Sequence, residues 1–217
     1  MATSRRRFLA SASAFAAASA LPIDAFADQL AKTAAMAEGP FYPDKLPLDT
    51  DNDLILLNDS TASAVGEVTY LTGQVLSKTG QPIRNASVEI WQCDGNGVYL
   101  HSGSSTPNRR DGNFQGYGRF LTNAKGEYCF RTIKPVAYPG RTPHIHVAVN
   151  QNGHRILTTQ MFIKGDTRNH NDGLIRRIKN QEARNTLMVD FTALPEAKIK
   201  TWQANFDIVL GKTVEDA

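Results

Sequence analysis

The chain has 217 residues, 41% hydrophobic and 21% charged, with 24 basic against 21 acidic side chains. That length can bury a core without staples, and a net charge of +3 with no basic patch argues against nucleic acid as a partner. With only Cys93 and Cys129, a disulfide framework and a cysteine-built metal cluster are both excluded.

Residues 1–27, "MATSRRRFLASASAFAAASALPIDAFA", join a basic start to an Ala-rich apolar stretch and an Ala25-Phe26-Ala27 cleavage pattern. The run Ser4-Arg5-Arg6-Arg7-Phe8-Leu9 resembles a twin-arginine export signal, a route that carries folded proteins. The expectation is a periplasmic or extracellular protein. The apolar stretch is too short and Ala-rich for an anchor, so no stable membrane insertion is expected. Cleavage after Ala27 removes Arg5, Arg6, Arg7 and Asp24, which takes the formal charge from +3 to +1. After export Cys93 and Cys129 either pair or remain buried thiols.

Residues 28–64 are rich in Pro and Asp, as in "EGPFYPDKLPLDTDNDLILL", and predict an extended arm lying over a core. From residue 65 to 217 the pattern is β. "EVTYLTGQVLS" leads through a turn at 78–82 into "ASVEIWQC", where Ala86, Val88 and Ile90 alternate with Ser87, Glu89 and Trp91. Trp91 reads as core. Then follow "GRFLT", "EYCFRTI", "HIHVAVN", "RILTTQMFI", "TLMVDFTAL" and "FDIVLG", with Gly and Asn turns between. Many short strands of this kind predict an all-β fold, a two-sheet sandwich or a barrel. One short helix is expected after a cap at Asp172, through Leu174, Ile175 and Ile178.

The chemistry concentrates in "YPGRTPHIHV", residues 138–147. His144 and His146 stand two apart, so on a strand both imidazoles share one face. A bare His-x-His is also met as an ordinary hydrogen-bonded pair, and other donors must decide. Tyr138 precedes His144 across a Pro/Gly loop, and Tyr99 follows "SVEIWQC" through a Gly-rich turn. Phenolate is a hard donor that ionises only near pH 10 when free, so a bound cation must lower its pKa. Two phenolates with two imidazoles suit Fe(III) better than Zn(II) or Cu(I).

"EIWQCDGNGVYLH", "FQGYGRFLTNAKGEYCFRTIKP", "YPGRTPHIHV", "LTTQMFIKGD" and "FDIVL" together resemble the intradiol ring-cleavage dioxygenases, over about residues 38–210. The likeness is to the catalytic-type chain of protocatechuate 3,4-dioxygenase and its exported single-chain relatives. It implies a two-sheet β-sandwich and a non-haem Fe(III) held by Tyr99, Tyr138, His144 and His146. It implies further that Arg141 stabilises charge on a bound catecholate and that Gln160 lines the pocket. The substrates implied are a catechol-type aromatic and O2, with Tyr138 displaced as the catechol binds and Tyr99 retained. His101, His154 and His170 match no ligand position in that pattern. Only Pro139 and Gly140 separate Tyr138 from Arg141, a shorter bridge than in the cytoplasmic enzymes, which implies a more open site. Two rivals remain at this point: an exported binding module on the same fold, and a different metal-dependent oxygen enzyme. Monomer and homo-oligomer both remain open.

The strand pairing carries its own expectation. A two-residue Asn152-Gly153 turn would set Gln160 opposite Ile145, on the wrong face. A three-residue Gln151-Asn152-Gly153 loop with Gly153 left-handed would set it opposite His144, and this second register is the one expected.

Overall fold

The computed structural model describes residues 29–57 and 61–211. The proposed signal peptide, residue 28, residues 58–60 and residues 212–217 therefore lie outside the described residues. Two five-stranded sheets pack face to face. In the first, β1 (Val68–Ser77) is central: β4 (Glu127–Ile133) runs antiparallel along one edge. Its other edge is shared, β9 (Thr201–Asn205) pairing parallel at Val68–Thr72 and β10 (Ile208–Leu210) parallel at Val75–Ser77. β8 (Phe191–Ala193) adds to β9. In the second sheet the order is β3 (Tyr117–Leu121), β2 (Ser87–Trp91), β5 (His144–Gln151), β6 (His154–Ile163), β7 (Met188–Val189).

Alternation on β1 sends Leu71 and Val75 inward, where they meet Val88, Ile90, Phe130, Ile145, Val147, Val149 and Met161 in one core. β5 departs from alternation, with its first six residues all buried. Ile145, Val147 and Val149 face the inter-sheet core, as period two requires. His144, His146 and Ala148 occupy the opposite face, which is also covered, so this strand is buried like one inside a layered α/β sheet.

The cover is the N-terminal arm. It crosses the sheet edges through Leu30 N–H to Lys78 O, Thr33 N–H to Val209 O and Met36 N–H to Thr158 O, at 2.9–3.1 Å. Leu54 and Ile55 then plug the core, anchored by the Arg131–Asp53 ion pair at 2.6 Å. The arm's Phe41 and Tyr42 pack with Trp91, Cys93, Tyr99 and Tyr117 on the outer face of the second sheet.

Several expectations change. Among the described residues two short helices form rather than one: α1 (Gly173–Arg177), capped by Asp172 as expected, and α2 (Gln181–Asn185), capped by Asn180. A second Asn cap lets the chain restart a helical turn after Ile178 leaves helical geometry. "TLMVDFTAL" splits into β7 and β8, which join different sheets. Cys93 is buried, but Cys129 is exposed, since strand alternation on β4 turns it outward, and both are free thiols. No helix among the described residues is long and apolar enough to cross a membrane.

The register of β5 and β6 is the sharpest correction. The turn is the two-residue Asn152-Gly153, both at positive φ (50° and 77°), with Gln151 opposite His154 and Asn150 opposite Arg155. This refutes the three-residue loop. Asn-Gly is the pair best suited to a turn whose twist matches its flanking strands. Yet Gln160 does not fall opposite Ile145. A bulge between Val149 and Asn150 leaves Ile156 without a partner, so Val149 pairs with Leu157 and His146 with Gln160. The extra residue returns Gln160 to the histidine face.

Candidate metal centre

Three segments converge on the outer face of the second sheet. The first is the turn after β2. Buried Asp94 accepts hydrogen bonds from Asn96 and Val98 N–H through Oδ1 (2.8 and 2.9 Å), and from Asp111 N–H through Oδ2 at 2.5 Å. This pins the loop that delivers Tyr99. Gly97 sits at φ 78°, and a Cβ there would press to 3.3 Å on Tyr138 Cβ, closer than an ordinary contact.

The second segment is the bridge from Tyr138 to Arg141. Arg141 N–H donates to Tyr138 O at 2.9 Å across Pro139-Gly140, with Gly140 at φ 82°. Proline followed by a positive-φ glycine is the requirement of a type II turn. The short bridge is thus a closed turn that sets the tyrosine and the arginine side by side.

The third is the start of β5. His144 Nδ1 lies 2.6 Å from Thr142 O, a contact that places the proton on Nδ1 and turns the Nε2 lone pair inward. His146 stacks on Trp91, with ring centroids 4.9 Å apart and planes 13° apart, and its Nδ1 is buried without a partner. Gly39 of the arm approaches from above: a Cβ there would stand 3.4 Å from His146 Cε1.

Tyr99 Oη, His144 Nε2 and His146 Nε2 form a triangle with sides of 3.2, 3.2 and 3.1 Å, all buried. Burial, then the Arg141 charge, pull the His144 pKa down to about 4 against a raising contact from Thr142 O. Burial, His144 and Arg141 hold His146 well below 6.5. Both imidazoles are therefore neutral at pH 7. With His144 protonated on Nδ1, its Nε2 lone pair faces the Tyr99 hydroxyl and His146 Nε2, so three buried polar atoms crowd one point. A cation at that point would be met by all three. Cis ligands about 2.1 Å from one ion stand about 3 Å apart, close to the separations seen.

Tyr138 sits at the half-buried edge, its ring 5.6 Å from that of His144 and 5.5 Å from that of Tyr99. Burial raises Tyr99 well above 10, with smaller raising effects from Cys93 and Tyr138. Burial also raises Tyr138, opposed by Arg141 and by its contact with Tyr99. Either phenol would need a cation's charge to ionise at neutral pH. Among the described residues no three His, Cys, Asp or Glu groups come together to hold a metal, so any site here depends on phenol oxygen. Two neutral imidazoles with two phenols fit a hard trivalent iron.

Arg141 Nε donates to Asp172 Oδ2 at 2.8 Å, and its Nη2 to Gln160 Oε1 at 2.5 Å, while Gln160 Nε2 donates to Ala37 O at 2.9 Å. All six residues singled out in the sequence thus meet in one place. His101 instead accepts from Gly103 N–H at 2.9 Å, and His154 and His170 are exposed. Sequence reasoning missed the stacking of Trp91 on His146, the approach of Gly39, and the second role of Asp172. Trp91 carried a signal, since it falls out of phase with the inward set of Val88 and Ile90 on β2. For Gly39 there was only the turn-like Gly-Pro pair.

A family model described as "Dioxygenase" matches residues 37–212. The chain is 41% identical over 125 residues to the protocatechuate 3,4-dioxygenase beta chain of Burkholderia cepacia, covering 54% of this chain and 53% of that one. It is 30% identical over 205 residues to a hydroxyquinol 1,2-dioxygenase of Corynebacterium glutamicum, covering 82% and 63%. The chain therefore spans between about half and two thirds of the length of these curated relatives. Among solved structures, the dioxygenase domain of a dioxygenase and carbohydrate-binding fusion from Streptomyces sp. SirexAA-E matches at a TM-score of 0.64 and 28% identity, covering 84% of this chain and all of that one.

Proposed function

Since the chain belongs to the intradiol ring-cleavage dioxygenases, we propose that it opens a catechol-type aromatic ring between its two hydroxylated carbons with O2. Both oxygen atoms enter the product, a muconate-type diacid, which therefore holds every atom of the catechol and of O2 and needs no other reactant. The observation that carries this reading is the buried triangle of Tyr99, His144 and His146 beside the fixed guanidinium of Arg141.

Tyr99, Tyr138, His144 and His146 would hold a non-haem Fe(III). When bound, that ion supplies Lewis acidity toward the two oxygens of a catecholate and an acceptor for its electron density. Tyr99, deep in the site, keeps its place. Tyr138, at the half-buried edge, would be a phenolate only while it helps to hold that ion; released from it, its raised pKa would let it take up a proton from an incoming catechol. Arg141 presents a permanent cation to negative charge building on the ring, and being fixed at both ends it needs no reorganisation during the reaction. Gln160 aims Arg141 and walls the site on the β6 side. Burial keeps water from the two imidazoles and lowers the local dielectric.

The test is direct. Purified protein should carry about one iron per chain, show the red to burgundy colour of phenolate-to-iron(III) charge transfer, and consume O2 with at least one of catechol, protocatechuate, hydroxyquinol or a substituted catechol. Colourless protein holding stoichiometric zinc would sink the iron assignment. Coloured protein that consumes no O2 with any catechol would favour a binding role. The export reading rests on Arg5, Arg6 and Arg7. Replacing Arg5 and Arg6 with Lys should leave the protein inside the cell, and unaltered export would discard it.

A further inference from the structure

The side chain of Asp172 is fully buried, at 0% exposure, and its two oxygens serve two different elements. Oδ1 accepts from Leu174 N–H at 2.9 Å and Ile175 N–H at 3.2 Å, which caps α1. Oδ2 accepts from Arg141 Nε at 2.8 Å and from Thr142 N–H at 3.2 Å. A cap alone is served as well by Ser, Thr or Asn. Accepting four N–H donors, one of them from a guanidinium, is work that only an ionised carboxylate does at this position.

The contact reaches further along the chain. Thr142 gives its carbonyl to His144 Nδ1 at 2.6 Å, and its hydroxyl donates to Asn169 Oδ1 at 2.8 Å. Asn169 Nδ2 in turn donates to Ile163 O at 2.8 Å. Gln160 holds the far branch of the guanidinium. Arg141 is thus gripped at Nε by α1 and at Nη2 by β6, and Asp172 is the only charged group in that grip. From this geometry we infer that Asp172 is the positioning residue for Arg141. It fixes the plane of the guanidinium and the backbone step into His144, and it touches neither substrate nor metal.

This inference rests on the dioxygenase reading for its kinetic consequence but not for its structural one. Asp172→Ser keeps a capping oxygen and is too short to reach Arg141. Asp172→Asn can satisfy the cap or the arginine side, not both. Asn180→Ala, which removes the cap of α2 away from the centre, controls for simple loss of stability. The expected result is that Asp172→Ser binds iron and shows the colour of the parent, loses at least tenfold in kcat, and changes the catechol KM by less than threefold. Asp172→Asn should fall between it and the parent, and Asn180→Ala should stay within twofold of the parent.

In metal-free protein, the Arg141 Nε–H proton should exchange slowly with water by NMR, and rapidly in Asp172→Ser. A kcat for Asp172→Ser within twofold of the parent overturns the inference, as does an equal loss in Asn180→Ala. So does an unchanged Arg141 Nε–H resonance. If the parent consumes no O2, the dioxygenase reading fails by itself, and the exchange of Arg141 Nε–H still decides whether Asp172 holds the arginine.

Discussion

Without a bound metal this protein should be acid-labile, with a slope to which its two buried histidines contribute. His144 has its pKa pulled to about 4 in the folded chain, against about 6.5 when unfolded, chiefly because its imidazole is buried. A depressed histidine pKa means that the unfolded chain binds the extra proton first, so stability is complete above pH 6.5 and declines as the pH falls toward 4. Near pH 5.5 the unfolded chain holds roughly 0.9 more protons at this site, a slope of about 1.2 kcal/mol per pH unit. By pH 4.5 the accumulated loss is about 2.5 kcal/mol, a large share of the roughly 5–15 kcal/mol that holds a domain folded.

His146 is shifted in the same direction, so it adds to the loss. Asp172, whose carboxyl is held low by Arg141 and N–H donors despite burial, loses its contribution only at lower pH, outside this window. The assay is urea unfolding of metal-free protein at half-unit steps from pH 7 to 4.5. Iron-loaded protein, with both lone pairs engaged, should show no such slope until the metal is released. His144→Gln should remove about 1.2 kcal/mol per pH unit near pH 5.5. Constant stability from pH 6.5 to 4.5, or an unchanged slope in His144→Gln, would refute the electrostatic reasoning.

Three further outcomes follow from other parts of the structure. Gly97→Ala combines a positive φ of 78° with a Cβ 3.3 Å from Tyr138 Cβ. It should cost about 1–3 kcal/mol in urea unfolding and shift the charge-transfer band as Tyr138 is displaced; an unperturbed band would show that the contact relaxes elsewhere. Deleting Ile156, the 41% exposed residue left unpaired in the bulge, should keep Gln160 opposite His146 and preserve iron content and turnover. Loss of both would mean that the register is set by something other than that extra residue. Cys129 should react with a thiol reagent in the folded protein without loss of activity, whereas Cys93, buried and with its pKa pushed up to about 12, should react only on unfolding. Two fast-reacting thiols would contradict the packing around Trp91.

Much of this protein is written in short-range pattern. Period-two alternation placed Leu71, Val88 and Ile90 inward because successive side chains on a strand must point to opposite faces. The same rule puts His144 and His146 on one face whatever surrounds them, so the paired imidazoles and the turn-forming Pro139-Gly140 were legible before any fold was known. Asp172 was legible too, but only as a cap, since a cap is a contact within four residues of chain.

What the tertiary structure alone decided depends on long-range or irregular contacts. The face of Gln160 turned on a single bulged residue, because each one-residue slip moves a whole strand's side chains to the other face. His146 is covered in part by Gly39 of an arm more than a hundred residues earlier in the chain, and His144 by Tyr138 and Phe162 from other elements, and burial depresses both pKa values. The grip of Asp172 on Arg141 spans 31 residues and two elements. Local sequence states which side chains a segment offers and to which face. Which of them meet depends on closing loops whose entropy grows only slowly with length, so partners a hundred residues apart cost little more to join than neighbours and leave no mark in local pattern.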